Sequence, residues 1–189
     1  MRVIAGSARH IQLKTVPGTD TRPTTDRIKE TLFNMLQFQL MDAAILDLFS
    51  GSGAIGIEAL SRGAKKAVFI ENQRQAAACI FENLEHTNLK EKAEVYITDV
   101  ISGLRQLRQR ETFDFIFMDP PYKEGYEPKV LETIADTGLA DTDTIIIIEA
   151  SKETDFKFAE EYGFKIDKEK VYKTNKHVFI RLDGSAKDD

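Results

Sequence analysis

The sequence predicts an α/β fold with a mainly parallel sheet and helices on both faces. Three observations carry this. From residue 44 onward, apolar runs of strand length alternate with amphipathic stretches of helix length, the pattern that builds parallel sheets through crossover helices. The run Ile145-Ile146-Ile147-Ile148 has no polar alternation, as expected of a strand covered on both sides. Gly51, Gly53 and Gly56 follow a strand and open a helix, the context that gives a G-x-G-x-x-G spacing structural meaning.

The bounds agree with one main domain. The chain has 189 residues, enough for one sizeable core and too few for two comfortable ones. The expected division is an N-terminal extension at 1–40, a main α/β domain at 41–184 and a frayed tail at 185–189. No internal repeat or interdomain linker interrupts it, and a monomer is expected. No apolar run approaches bilayer length and no signal-peptide pattern opens the chain, so no membrane partner is expected. Cys79 is the sole cysteine, which precludes an intrachain disulfide and fits a cytoplasmic setting. His10, His86 and His177 are scattered without ligand spacing, so no metal is expected. The net charge of −5 argues against a general nucleic-acid coat. Charge is uneven, however: residues 1–40 carry six Lys/Arg (Arg2, Arg9, Lys14, Arg22, Arg27, Lys29) against three Asp/Glu, whereas residues 123–189 carry eleven against sixteen. A basic arm on an acidic body permits local contact with phosphates.

Taken in order, residues 1–14 alternate around Gly6-Ser7-Ala8-Arg9-His10 and predict a short β-hairpin. Pro17-Gly18 marks a loop, and Thr24 or Thr25 can cap a helix with Asp26 at its positive end. Ile28, Leu32, Met35 and Leu36 give that helix its period. Strands are then expected at 44–48, 67–71, 94–98, 113–118 and 144–149, with helices at 54–62, 73–87, 100–109, 126–136 and 153–161. A closing strand pair is expected at 163–171 and 176–182.

Two stretches carry chemistry. The glycine loop lets backbone approach a ligand closely, and Glu71 at the end of the next strand stands where a carboxylate meets both hydroxyls of a ribose. Asp99, after the third strand, could reach an adenine amino group. Two ligands compete for this loop. A dinucleotide would set its pyrophosphate on the helix N-terminus, which points to a nicotinamide-dependent oxidoreductase. Asp47, just before the loop, suits instead a cationic amino-acid ligand such as S-adenosylmethionine. The second stretch is Asp119-Pro120-Pro121-Tyr122, where two prolines end an apolar strand. The Asp119 carboxylate and Pro120 carbonyl can hold the two hydrogens of an exocyclic base amino group, and Tyr122 can stack on the base.

Together, Asp47-x-Phe49-x-Gly51-x-Gly53, Glu71, Asp99 and Asp119-Pro120-Pro121-Tyr122 resemble the ordered motifs of amino-directed S-adenosylmethionine-dependent methyltransferases. With Met1-Arg2-Val3-Ile4-Ala5-Gly6, the stretch Thr21 to Glu30 and Ile57-Glu58-Ala59-Leu60-Ser61-Arg62-Gly63-Ala64, the chain more narrowly resembles the bacterial RsmD family, which methylates guanine N2 of 16S ribosomal RNA. The resemblance implies a Rossmann-like class I methyltransferase fold with seven strands, extended at the N-terminus by a hairpin and helix. It implies that Asp47, Gly51, Gly53, Glu71 and Asp99 line an S-adenosyl-L-methionine site and that Asp119, Pro120 and Tyr122 hold the guanine amino group. Arg2, Arg9, Lys14, Arg22 and Arg27 would then contact RNA, either naked 16S rRNA or a partly assembled small ribosomal subunit. Adenine N6 of DNA, or another RNA, is the alternative substrate for the same chemistry.

Overall fold

The computed structural model describes residues 1–16, 26–122 and 124–184. Its seven strands form a mostly parallel sheet, and the chain divides into two compact units, Met1–Asp99 and Val100–Asp189. The expected caps Thr24 and Thr25, the loop at Pro17-Gly18 and the frayed tail lie outside the described residues.

The first unit contains α1 (Asp26–Leu36), β1 (Ala44–Leu48), α2 (Ala54–Ser61), β2 (Lys66–Glu71), α3 (Arg74–His86) and β3 (Ala93–Ile97). Its strands run parallel in the order β3-β2-β1, with Leu46 paired to Val68 and Val68 to Glu94. All five residues of β1 are buried, which is why this strand reads as a continuous apolar run broken only by Asp47. Helix α3 buries Ala76, Ala77, Ile80 and Leu84, a stripe at helical spacing.

The N-terminal arm is docked on this unit rather than loosely attached. The predicted hairpin is present and short: around an antiparallel bridge of Arg2 to Gln12, the Val3 N–H donates to the Ile11 carbonyl at 2.9 Å, the His10 N–H to the Val3 carbonyl at 2.9 Å and the Leu13 N–H to the Met1 carbonyl at 3.0 Å. Amides of the arm that are outside these pairings bond to α2 instead. Ile4 and Ala5 donate to the two oxygens of Glu58 at 2.8 and 3.1 Å. Ala8 donates to Ser61 Oγ at 2.9 Å, and Ser61 Oγ donates to the Ala5 carbonyl at 2.6 Å. Glu58 also meets Lys29 of α1 at 3.3 Å and Arg62 at 2.7 Å. Burial lowers the Lys29 ammonium pKa, against the pull of Glu58. The cation is kept in place by charge-assisted bonding, including donation to the Arg2 carbonyl at 2.5 Å.

The second unit contains α4 (Val100–Gln106), β4 (Phe115–Met118), α5 (Tyr126–Thr137), β5 (Ile145–Ser151), β6 (Phe164–Val171) and β7 (Asn175–Leu182). Its strands lie in the order β4-β5-β7-β6. β4 and β5 are parallel, while β7 is antiparallel to both β5 and β6. Gly138, at φ 70°, ends α5 in the left-handed conformation. The α-helix expected at 153–161 is instead a 3₁₀ helix at Lys157–Tyr162. Local bonding explains the correction: Thr154 N–H donates to the Ser151 carbonyl at 3.1 Å and Lys157 N–H to Asp155 Oδ1 at 3.1 Å, turn bonds that compete with helix. In β6 only Phe164 is buried, and its exposed Lys and Glu residues suit an edge strand.

Among the described residues, no helix is long and apolar enough to cross a membrane, and no group of three or more His, Cys, Asp or Glu is arranged to hold a metal.

Candidate cofactor and substrate sites

In the first unit the loop between β1 and α2 is shaped by alternating left-handed residues. Phe49, Gly51 and Gly53 have φ of 57°, 54° and 78°. A non-glycine residue held there is strained, a feature that collects at functional loops. The glycines differ in what they permit. A Cβ at Gly51 would meet nothing within 4 Å, so this part of the loop faces open space. A Cβ at Gly56 would lie 2.3 Å from the Phe69 ring, so Gly56 is the contact that seats α2 on β2.

Two carboxylates hold the loop. Asp47 is 2 % exposed, and its Oδ2 accepts the Gly56 N–H at 3.0 Å, giving a partner to a first-turn amide of α2. Burial pushes its pKa up to about 8, with the charge of Glu71 acting in the same direction. Glu71, at the end of β2, accepts the Gly51 N–H at 2.8 Å through Oε2 and the Gln73 N–H at 2.8 Å through Oε1. Ser50 donates its hydroxyl to the Asp47 carbonyl at 2.6 Å. Asp47 of β1 and Glu71 of β2 therefore both bond to the backbone of the segment that carries Gly51, Gly53 and Gly56. Asp99 is exposed and follows β3; Ile97, the β3 partner of Glu71, is half exposed.

These residues fit a nucleoside bearing a cationic amino-acid tail. An open glycine gives close backbone approach, a carboxylate with two oxygens can accept from ribose hydroxyls, and a buried acid lacking a cation can receive an ammonium.

Asn83 of α3 is a participant that sequence reasoning missed. It is buried, its Oδ1 accepts the Lys14 N–H at 2.8 Å, and its Nδ2 donates to the carbonyls of Lys14 at 3.0 Å and Ser52 at 2.9 Å. One amide thus links the arm to the glycine loop. Its signal was an Asn three residues after buried Ile80, on the apolar side of the helix.

Of the basic residues assigned to RNA, Arg9 and Arg27 are exposed. Arg2 lies 3.7 Å from Asp26. Lys14 is paired with Glu82, which raises its pKa. Arg22 lies outside the described residues.

In the second unit, Asp119-Pro120-Pro121-Tyr122 follows β4 as expected. Pro120 is buried, Asp119 is partly exposed, and Tyr122 is 44 % exposed. The Tyr122 hydroxyl donates to Glu149 Oε1 at 3.4 Å. Its pKa is raised by burial first and then by the negative charges of Glu149 and Asp119, so it stays a neutral phenol. Glu149 also accepts from Asn175 Nδ2 at 2.5 Å and lies 3.3 Å from His177 Nε2. Glu149 and His177 are direct cross-strand partners on β5 and β7. The sequence offers His177 only as a scattered histidine and Glu149 only as a strand residue. The available signal was a carboxylate ending the tetra-isoleucine run.

Comparison with known proteins gives one consistent result. A family model described as Conserved hypothetical protein 95 matches residues 1–181. YlbH of Bacillus subtilis (strain 168) is 42% identical over 156 residues, covering 82% of this chain and 85% of that protein. Ribosomal RNA small subunit methyltransferase D of Escherichia coli (strain K12) is 36% identical over 153 residues, covering 81% of this chain and 76% of that protein. The solved yhhF structure from Escherichia coli superposes with a TM-score of 0.83 at 33% identity, covering 97% of this chain and 98% of that one.

Proposed function

The chain belongs to the Conserved hypothetical protein 95 family, the RsmD family that its sequence resembles, and from that premise we propose that it methylates ribosomal RNA, transferring a methyl group from S-adenosylmethionine to the exocyclic N2 amino group of a guanine in 16S rRNA. The observation that carries this reading is the Asp119-Pro120-Pro121-Tyr122 turn, with a buried Pro120 and a half-exposed aromatic ring at its tip. A dinucleotide oxidoreductase has no use for such a turn. Buried Asp47, directly before the glycine loop, also favours a cationic tail over a pyrophosphate.

S-adenosylmethionine supplies, when bound, an electrophilic methyl group on a sulfonium that leaves as a neutral thioether. Gly51 and Glu71 would hold its nucleoside, Asp47 would receive the cationic tail, and Asp99 would take the adenine. The Asp119 carboxylate and the Pro120 carbonyl accept the two amino hydrogens, so that the nitrogen lone pair is aimed rather than delocalised. Asp119 also stabilises positive charge as it grows on nitrogen. Tyr122 stacks on the base, which has to be unstacked from its own helix to be reached. The arm, through Arg9, Arg27 and their neighbours, contributes phosphate contacts, and the acidic remainder of the chain favours a partly assembled subunit that adds contacts of its own.

A tritiated-methyl assay tests this on small ribosomal subunits lacking the modification, on naked 16S rRNA and on DNA, followed by nucleoside mass spectrometry. N2-methylguanosine from the rRNA substrates supports the reading. N6-methyladenine would replace it with the adenine alternative, and binding of NAD in place of S-adenosylmethionine would overturn it.

A further inference from the structure

We infer that Glu149 is a positioning residue for Tyr122, fixing the plane on which the target base stacks; this rests on the methyltransferase reading. Tyr122 stands at the tip of a turn with nearly half its surface in solvent, a setting in which an aromatic ring is free to swing. Its hydroxyl instead points to Glu149 Oε1, 3.4 Å away. Glu149 is itself clamped: Asn175 Nδ2 donates to the same oxygen at 2.5 Å, and His177 Nε2 stands 3.3 Å from the other. His177 is fully buried, with the edge of Phe117 at 6.2 Å and Tyr172 at 5.1 Å between ring centroids. The Tyr172 hydroxyl is also 3.4 Å from His177 Nδ1. Phe117, Glu149, Asn175 and His177 of the clamp stand on β4, β5 and β7, and Tyr172 comes from the turn between β6 and β7.

Two details favour positioning over mere core chemistry. The Tyr122 hydroxyl lies 3.4 Å from the carboxylate oxygen, longer than an ordinary O–H···O bond, a separation that a seated base would close, as contacts in unliganded sites commonly tighten on binding. Asn175 spends its Nδ2 on the carboxylate while its buried Oδ1 has no partner among the described residues. A local rule broken in this way, beside the turn that holds substrate, marks an arrangement built around the carboxylate.

The test is a double-mutant cycle on the full chain with unmodified subunits as substrate, reading single-turnover methyl transfer and calorimetric affinity for S-adenosylmethionine. Tyr122→Phe and Glu149→Leu are each expected to slow transfer about tenfold, the scale of one charge-assisted bond, with cofactor affinity unchanged. The double variant is expected to be no slower than either single one, because Glu149 acts through the Tyr122 hydroxyl. Losses that multiply, or a Tyr122→Phe variant as fast as the parent, would overturn the inference. Should Glu149→Leu fail to fold, Glu149→Gln in ¹³C-tyrosine-labelled protein decides. The Tyr122 signal, identified by its loss in Tyr122→Phe, is expected to move, and an unmoved signal would overturn the assignment. A parent chain that transfers no methyl group would defeat the methyltransferase reading, and the tyrosine spectrum would still decide whether Glu149 holds the ring.

Discussion

Gly51 and Glu71 are joined directly: the loop glycine's N–H donates to the carboxylate at 2.8 Å, so the residue assigned to the ribose also sets the height of the backbone that approaches it. Glu71→Ala removes both functions. Its affinity for S-adenosylmethionine is expected to fall roughly ten- to a hundredfold, the worth of one or two bonds to a charged acceptor, by calorimetric titration. Glu71→Gln, which keeps an acceptor for Gly51, is expected to lose less.

Asp47 makes stability depend on pH. Its carboxyl is raised by burial to about 8 in the folded chain, from 3.8 when exposed. Between these values the native state binds more protons than the unfolded one, so stability falls as pH rises from about 4 to about 8 and then levels. Urea midpoints measured from pH 5 to pH 8.5 are expected to decline in the parent. They should decline less in Asp47→Asn, which still accepts from Gly56. If the cationic tail of the cofactor meets Asp47, binding at pH 7 releases a proton. Titrations in buffers of different ionisation enthalpy would show that release in the parent and its absence in Asp47→Asn.

Glu58 compensates the buried Lys29 ammonium while tying Ile4 and Ala5 to α2. Glu58→Ala strands that cation, and removal of one partner from a buried pair costs about 3–5 kcal/mol. Lys29→Met is expected to cost less, since Glu58 keeps Arg62 and two backbone donors. Denaturant unfolding of both variants checks the order.

The arm offers a graded test of RNA contact. Arg9→Ala and Arg27→Ala are each expected to lower the slope of log affinity against log salt by about one, if each neutralises one phosphate. Lys14→Ala is expected to change it less, because Glu82 already engages that ammonium. Binding to a 16S rRNA fragment over a salt series reads all three.

Most of the fold was legible because its signals are periodic and local. The unbroken isoleucines of β5, the stripe on α3 and the glycines after β1 each report their own surroundings. The 3₁₀ helix at Lys157–Tyr162 was not legible, because whether Ser151 and Asp155 spend their side chains on turn bonds is a matter of competition that spacing does not reveal. The candidate sites divided in the same way. Asp47, Gly51, Gly53 and Glu71 announced themselves through their place in a motif. Glu58, Asn83, Glu149 and His177 did not, since each acts on a partner more than twenty-five residues away in sequence. A lone polar residue on an apolar element looks the same whether it is a compromise or a keystone.

The bridge made by Asn83 has a practical consequence. A shortened enzyme that begins after residue 14 would lose both arm partners of this amide, and with them a brace on the Ser52 carbonyl. Trimming the arm to study it in isolation would therefore disturb the glycine loop proposed to hold the nucleoside too. An affinity lost in such a truncation would report on two sites at once, so point substitutions are the cleaner instrument for separating RNA capture from methyl-donor capture.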